Sequence, residues 1–276
     1  MRRLSRLVIG FVVAGLAVGA PLGVAPATAQ PAPTTRSALL IGVNRFVGNT
    51  RPNYGAVNDV ADTREMLIRA GWRSEDILVL TDEGARADDI RNGLRWLVDR
   101  SSPTSVSAFH YSGHVKQAGG AEFLWPHDNR FIRDTELASS LQQLQGRSWI
   151  NISGCEAAGF DEGISSPTRL FTASSTATEK SYELVEAGKS VFTMLMVDQG
   201  MRKGLADENR DGRVSVQEAF RYAATRAPEI TKGAANGPQH PVMRGGSGDF
   251  FFDEVATPPV APTKTCGLNL LGLCLF

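Results

Sequence analysis

The chain has 276 residues, enough for one or two domains with a core that needs no covalent staples. Basic and acidic side chains balance at 29 each; without Arg2, Arg3 and Arg6 the count is 26 against 29, a net of −3. That balance excludes a strongly basic nucleic-acid binder, so no nucleic-acid partner is expected. A hydrophobic share of 42% beside 21% charged residues excludes wholesale disorder, and three cysteines are too few for a disulfide scaffold.

Arg2, Arg3 and Arg6 precede an apolar run over residues 7–18, and Ala27-Thr28-Ala29 offers the small-x-small pattern of a signal-peptidase site. The run is short for a spanning helix. Residues 1–29 therefore read as an export signal and residues 30–36 as a short leader. The mature protein is expected to be secreted or extracytoplasmic, with no stable membrane anchor after cleavage.

Continuous apolar runs at 38–43, 76–81, 106–111 and 149–152 read as strands buried on both faces, with 170–173 as a fifth. Between them, apolar spacing of three and four predicts helices over 56–70, 87–98 and 135–144. The alternation predicts one α/β domain over residues 37–253, with a mostly parallel central sheet flanked by helices. Chemistry in such sheets gathers beyond the carboxyl ends of the strands. The third strand runs into Ser112-Gly113-His114 and the fourth into Ser153-Gly154-Cys155.

Two neighbouring strands would thus deliver an imidazole and a thiol to one edge. A histidine can make a cysteine nucleophilic by taking its proton, and such a thiol is expected to react with iodoacetamide at mildly acidic pH. Taken singly, Cys155 reads as a buried hydrophobe and His114 as a satisfied structural residue; the pairing carries the reading. His110 falls on the inner face of its strand, a core position, while His127 and His240 fall in turns. No zinc-ligand spacing, nucleophile elbow, phosphate loop or dinucleotide fingerprint occurs, so no organic cofactor is expected.

Residues 207–218, Asp-Glu-Asn-Arg-Asp-Gly-Arg-Val-Ser-Val-Gln-Glu, fit the twelve-residue calcium-loop pattern, between helical segments at 191–204 and 216–226. The expected ligands are the side chains of Asp207, Asn209 and Asp211, the Arg213 carbonyl, Ser215 through a water, and both oxygens of Glu218. The plain alternative is a polar turn between two helices. Residues 254–276 form a proline-containing linker and an apolar tail. There Cys266 and Cys274 would pair in an oxidising compartment and spare Cys155; the alternative is a docking tail.

In order along the chain, Leu39-Leu40-Ile41-Gly42-Val43-Asn44, Gly55-Ala56-Val57-Asn58-Asp59-Val60, residues 109–114, Leu124-Trp125-Pro126-His127-Asp128 and residues 150–155 resemble the caspase-like clan of cysteine peptidases. The nearest likeness is to bacterial metacaspase-like members that also carry such a calcium loop. The resemblance spans residues 37–252 and implies a caspase-like sandwich in which Leu124–Asp128 follow as a hairpin. It gives His114 and Cys155 the catalytic places, with the N–H groups of Val115 and Cys155 as the oxyanion hole. It also implies an endopeptidase acting on proteins or peptides, with cleavage after Arg or Lys, which the export signal would make a secreted one.

The departures are Val115 for the family's glycine, Ser153 for the aspartate that helps bind a basic side chain, and Glu156 for the usual histidine. Asp59, Glu156, Asp161 and Glu162 are the candidate carboxylates that would replace the missing one. The same departures suit a rival reading, a catalytically impaired homologue that binds peptides or proteins as a calcium-stabilised module. A second rival is a calcium-dependent structural module in which Cys155 is merely buried.

Overall fold

The computed structural model describes residues 35–252. The expected export signal, the cleavage point at Ala29, most of the leader, and the tail with Cys266 and Cys274 lie outside the described residues. The strands in chain order are β1 (Arg36–Gly42), β2 (Ile77–Thr81), β3 (Val106–Ser112), β4 (Val115–Ala118), β5 (Ala121–Leu124), β6 (Ile132–Arg133), β7 (Arg147–Ser153), β8 (Arg169–Ala173), β9 (Glu183–Leu184), β10 (Lys189–Ser190) and β11 (Val242–Gly245). The helices are α1 (Ala56–Arg69), α2 (Ala87–Asp99), α3 (Asp134–Leu141), α4 (Val191–Thr193, continuing as a wide helix over Met194–Arg202) and α5 (Val216–Thr231).

Six strands form the main sheet in the order β11-β8-β7-β3-β1-β2. All neighbours are parallel except β11, which runs antiparallel on the edge of β8. Apolar side chains on both faces explain the unbroken runs in the sequence. Leu39, Ile41, Phe109, Ile150 and Phe171 point to one face and are fully buried beneath α2 and α3, whose Ile90, Leu94, Leu97, Leu137 and Leu141 meet them. Ala38, Leu40, Ala108, Trp149 and Leu170 point to the other, against Val60 and Leu67 of α1, the α4 segment and Ala219 and Ala223 of α5. Each fully buried Leu, Ile or Phe contributes about 1.5–3 kcal/mol, so register is strongly specified. Gly93 lets α2 approach closely, since a Cβ there would lie 2.8 Å from Leu39 Cδ1.

Some elements differ from the sequence reading. The expected hairpin is a three-stranded unit, β4-β5-β6: Leu124 closes β5, pairing with Val115 and Ile132, and residues 125–128 lie in the β5–β6 connection. The expected helix at 191–204 turns α-helical only at Val191–Thr193 and then widens to π geometry over nine residues. Its last carbonyls are met from further on: Lys203 N–H reaches the Asp198 carbonyl at 3.1 Å and Leu205 N–H the Gln199 carbonyl at 3.2 Å. This helix carries buried Asp198, which meets Lys189, Arg202 and Lys203. α5 runs past its expected end, through Pro228 to Thr231. Among the described residues no helix is long and apolar enough to cross a membrane.

Candidate active site

The register pairs Gly42 with Ser112 and Ser112 with Ser153, so β1, β3 and β7 end level with one another. One residue beyond Ser112, Gly113 N–H still donates to the Ser153 carbonyl at 3.1 Å. The chain then turns, and His114 and Cys155 emerge into one cleft of about 340 Å³.

The loop bearing Cys155 is locked. Gly154 N–H donates to Ser174 Oγ at 2.9 Å, and the Gly154 carbonyl accepts from Ser174, Ser175 and Ser181 hydroxyls at 2.8, 3.2 and 2.6 Å. A Cβ on Gly154 would stand 2.7 Å from the Gly113 carbonyl oxygen and 2.8 Å from Val115 Cγ2, so only glycine fits between the loops bearing His114 and Cys155. Among the described residues no acceptor meets the Cys155 N–H. Val115 opens β4, paired with Leu124.

His114 is fixed on three sides. Phe46 stacks on the ring at 5.0 Å, Trp125 lies 5.8 Å away, and Nε2 stands 2.7 Å from the Arg51 carbonyl. Tyr111 Oη donates to the His114 carbonyl at 2.6 Å. A carbonyl can only accept, so Nε2 carries the proton and Nδ1 keeps the lone pair. Burial pulls the His114 imidazole below its usual range, and burial likewise pushes the Cys155 thiol up. Both shifts favour a neutral thiol and a neutral imidazole in the resting protein. Cys155 Sγ meets the Ser181 carbonyl at 4.0 Å, and Lys180 and Glu183 line the same cleft.

The cleft floor is made of Ser112, Ser153 and Ser190. Fully buried Asp59 lies beneath, accepting from Ser112 Oγ at 2.7 Å, from Ser190 N–H at 3.2 Å and from the Ser190 hydroxyl. Ser153 Oγ meets Ser190 Oγ at 3.2 Å. Burial raises Asp59 to about 7 against the lowering effect of its serine partners.

The other candidate carboxylates are elsewhere. Glu156 is buried, ion-paired with Lys180, and its N–H donates to the Glu179 carbonyl at 2.8 Å. It holds the turn after Cys155 and does not line the cleft. Asp161 accepts from Ser165 N–H and Oγ at 2.8 and 2.9 Å, and exposed Glu162 also stays outside the cleft. His110 is buried and bonded to Asn151, its imidazole pushed down to about 3 by burial; His127 bonds the Arg45 carbonyl and His240 pairs with Glu179.

Sequence reasoning missed Glu183, Arg51 and Lys180 as lining residues of the cleft. Arg51 acts there through a carbonyl, which no side-chain pattern reveals. Glu183 and Lys180 follow β8 in a stretch with no helical or strand period.

In the calcium-like loop, Asp207 accepts from Asp211 and Gly212 N–H at 3.1 and 3.0 Å, and Asp211 accepts from Arg213 N–H at 2.8 Å. Gly212 turns at φ 82°. Ser215 and Glu218 form a capping box at the start of α5. Among the described residues no three His, Cys, Asp or Glu side chains converge as a metal site would require.

An α/β sandwich with a thiol and an imidazole at the carboxyl edge of adjacent parallel strands defines the class. The caspase-domain family model matches residues 35–241, and the chain belongs to that family. Metacaspase-1 of Schizosaccharomyces pombe is 31% identical over 121 residues, covering 37% of this chain and 28% of the relative. Metacaspase-1 of Mycosarcoma maydis is 38% identical over 89 residues, covering 30% and 22%. The matched stretches are thus under a third of those relatives' length. The crystal structure of protein GSU0716 from Geobacter sulfurreducens has the same fold, with a TM-score of 0.60 at 14% identity over 82% of this chain and 98% of that one.

Proposed function

We propose that the protein is a metacaspase-like cysteine endopeptidase working through Cys155 and His114. The observation that carries this is the Arg51 carbonyl on His114 Nε2, which leaves Nδ1 as the free base in the cleft that holds Cys155. Cys155 Sγ attacks the substrate carbonyl while its proton passes to His114 Nδ1. The N–H groups of Cys155 and Val115 hold the oxyanion. The imidazolium returns the proton to the leaving amine as the C–N bond breaks, and water then hydrolyses the thioester, restoring the thiol.

We assign the serine-lined floor to a basic side chain preceding the cut bond. Asp59 beneath Ser112 and Ser190 supplies the charge, ionising as the basic side chain binds, and Ser153 contributes a hydroxyl where the family's aspartate would stand. Cleavage of a peptide library by wild type, with Cys155→Ala and His114→Ala as controls, tests both statements. Undiminished hydrolysis by Cys155→Ala would overturn the chemistry, and a profile led by Asp at the cleaved position would overturn the pocket.

Calcium belongs to the same proposal. The donors at 207–218 are all oxygen, as a hard cation needs, and Asp207 accepts from the N–H groups of Asp211 and Gly212, the latter at a positive φ. Asp207, Asn209, Asp211, the Arg213 carbonyl, Ser215 and Glu218 would hold the ion and tie α4 to α5. Export is proposed on the residues before Gln30, and terminal sequencing of protein recovered from culture medium tests it.

A further inference from the structure

Glu183 makes three hydrogen bonds that no other carboxylate in the cleft makes. Oε1 accepts from Tyr54 N–H at 3.2 Å and Gly55 N–H at 2.8 Å, and Oε2 accepts from Tyr54 N–H at 3.1 Å. These amides stand at the N-terminus of α1, where Gly55 is the cap residue and offers no side-chain acceptor of its own. A carboxylate from 128 residues further on therefore caps the helix.

The capped amides belong to the same short loop as Arg51, whose carbonyl holds His114 Nε2 at 2.7 Å. Gly55 lies flush on β10, where a Cβ would come within 2.6 Å of the Lys189 carbonyl carbon. On the inner side, Asn53 Nδ2 donates to the Val43 carbonyl and Asn53 N–H to the Asn44 carbonyl, both at 2.9 Å. The loop is thus pinned to residues 43–44, just past β1, from within and to the β9–β10 hairpin from without. The outer pin is Glu183.

We infer that Glu183 is a positioning residue: its carboxylate fixes the loop whose Arg51 carbonyl sets the tautomer and orientation of His114. In its kinetic part the inference rests on the peptidase reading; its spectroscopic part does not. Without the outer pin the Arg51 carbonyl drifts, Nε2 loses its acceptor, and the proton distributes between the two ring nitrogens.

The test compares full-length wild type, Glu183→Ala and Glu183→Gln. The probes are an Arg-ended peptide anilide and the aryl ester of the same peptide, whose leaving group departs without a proton. Glu183→Ala should lower kcat on the anilide by ~10- to 100-fold with KM within about twofold, and should lower ester turnover less. Glu183→Gln keeps an oxygen that accepts from both amides and should restore most of the anilide rate. The His114 ring nitrogens, assigned by their loss in His114→Gln, should show one Nε2–H tautomer in wild type and a mixture in Glu183→Ala. A rise in KM with kcat kept would overturn the inference and make Glu183 a substrate contact; an unmoved His114 ring signal would overturn it outright. A wild type that cleaves nothing would sink the peptidase reading alone, because the ring signal still decides the positioning.

Discussion

Glu156, the residue after Cys155, lies in the left-handed backbone region at φ 49° and is ion-paired with Lys180. A non-glycine residue in that region stores strain, and here the buried carboxylate and its partner hold it there. Lys180→Met leaves that carboxylate without a cation and should destabilise the domain by ~1–3 kcal/mol, toward the lower end because Lys180 is half-exposed to water. Glu156→Gly added to Lys180→Met should recover much of the loss, since glycine takes the same backbone without strain. Urea denaturation of the three proteins is the check, and equal midpoints for wild type and Lys180→Met would refute it.

The neutral resting pair predicts the reactivity of Cys155. Its thiol is raised by burial, so the thiolate fraction stays small in mild acid and grows only as pH climbs past the usual cysteine range. His114 is lowered by burial, so it remains an unprotonated base to lower pH than an ordinary imidazole. Iodoacetamide labelling should therefore be slow in mild acid and accelerate through the alkaline range. The acid limb of kcat/KM should fall below the normal histidine range. Labelling that plateaus in mild acid would show a thiolate–imidazolium pair instead.

Asp59 makes stability depend on pH in the opposite sense to a salt-bridged carboxylate. Its pKa is about 7 in the folded chain against 3.8 for the free side chain, so between those values the native state binds the extra proton. Its contribution is fully present below about pH 4, declines as pH rises, and is gone above about pH 7. Asp59→Asn should flatten that decline. Melting temperatures of both proteins across the interval decide the matter, and parallel curves would reassign the ionisation.

Calcium should raise the melting temperature of wild type and leave Glu218→Gln nearly unmoved. At calcium ~100-fold above Kd the stabilisation is about 2.7 kcal/mol, if the unfolded loop does not bind. Three identical melts (calcium, chelator, and Glu218→Gln with calcium) would make the loop an ordinary turn.

What the sequence reveals follows physical range. β1, β3 and β7 are legible because burial on both faces leaves uninterrupted apolar runs, and their ends name His114 and Cys155. Serine and glycine before each residue are the visible trace of two loops packed against each other at Gly154. Glu156 misleads: a charged residue beside a nucleophile reads as a substrate contact until Lys180, 24 positions on, is seen to cover it. β9 and β10 have two residues each, too few for any period to register. The widened helix at Met194–Arg202 keeps enough apolar residues to read as ordinary helix, and only its hydrogen bonds disclose the difference.

The His114–Cys155 pair and the wall facing it are carried by elements of very unequal permanence. His114 and Cys155 ride on β3 and β7, seven residues each, at the middle of the six-stranded sheet. Glu183 and Ser190 ride on strands of two residues that pair only with each other. Amide hydrogen exchange should register this as two tiers. Protection along residues 107–111 and 148–152 should be lost only with global unfolding, whereas the amides at 183–190 should exchange through a partial opening of far lower free energy. Such an opening widens the cleft for a bulky polypeptide, and reclosing on the substrate restores the Glu183 pin and with it the set of His114.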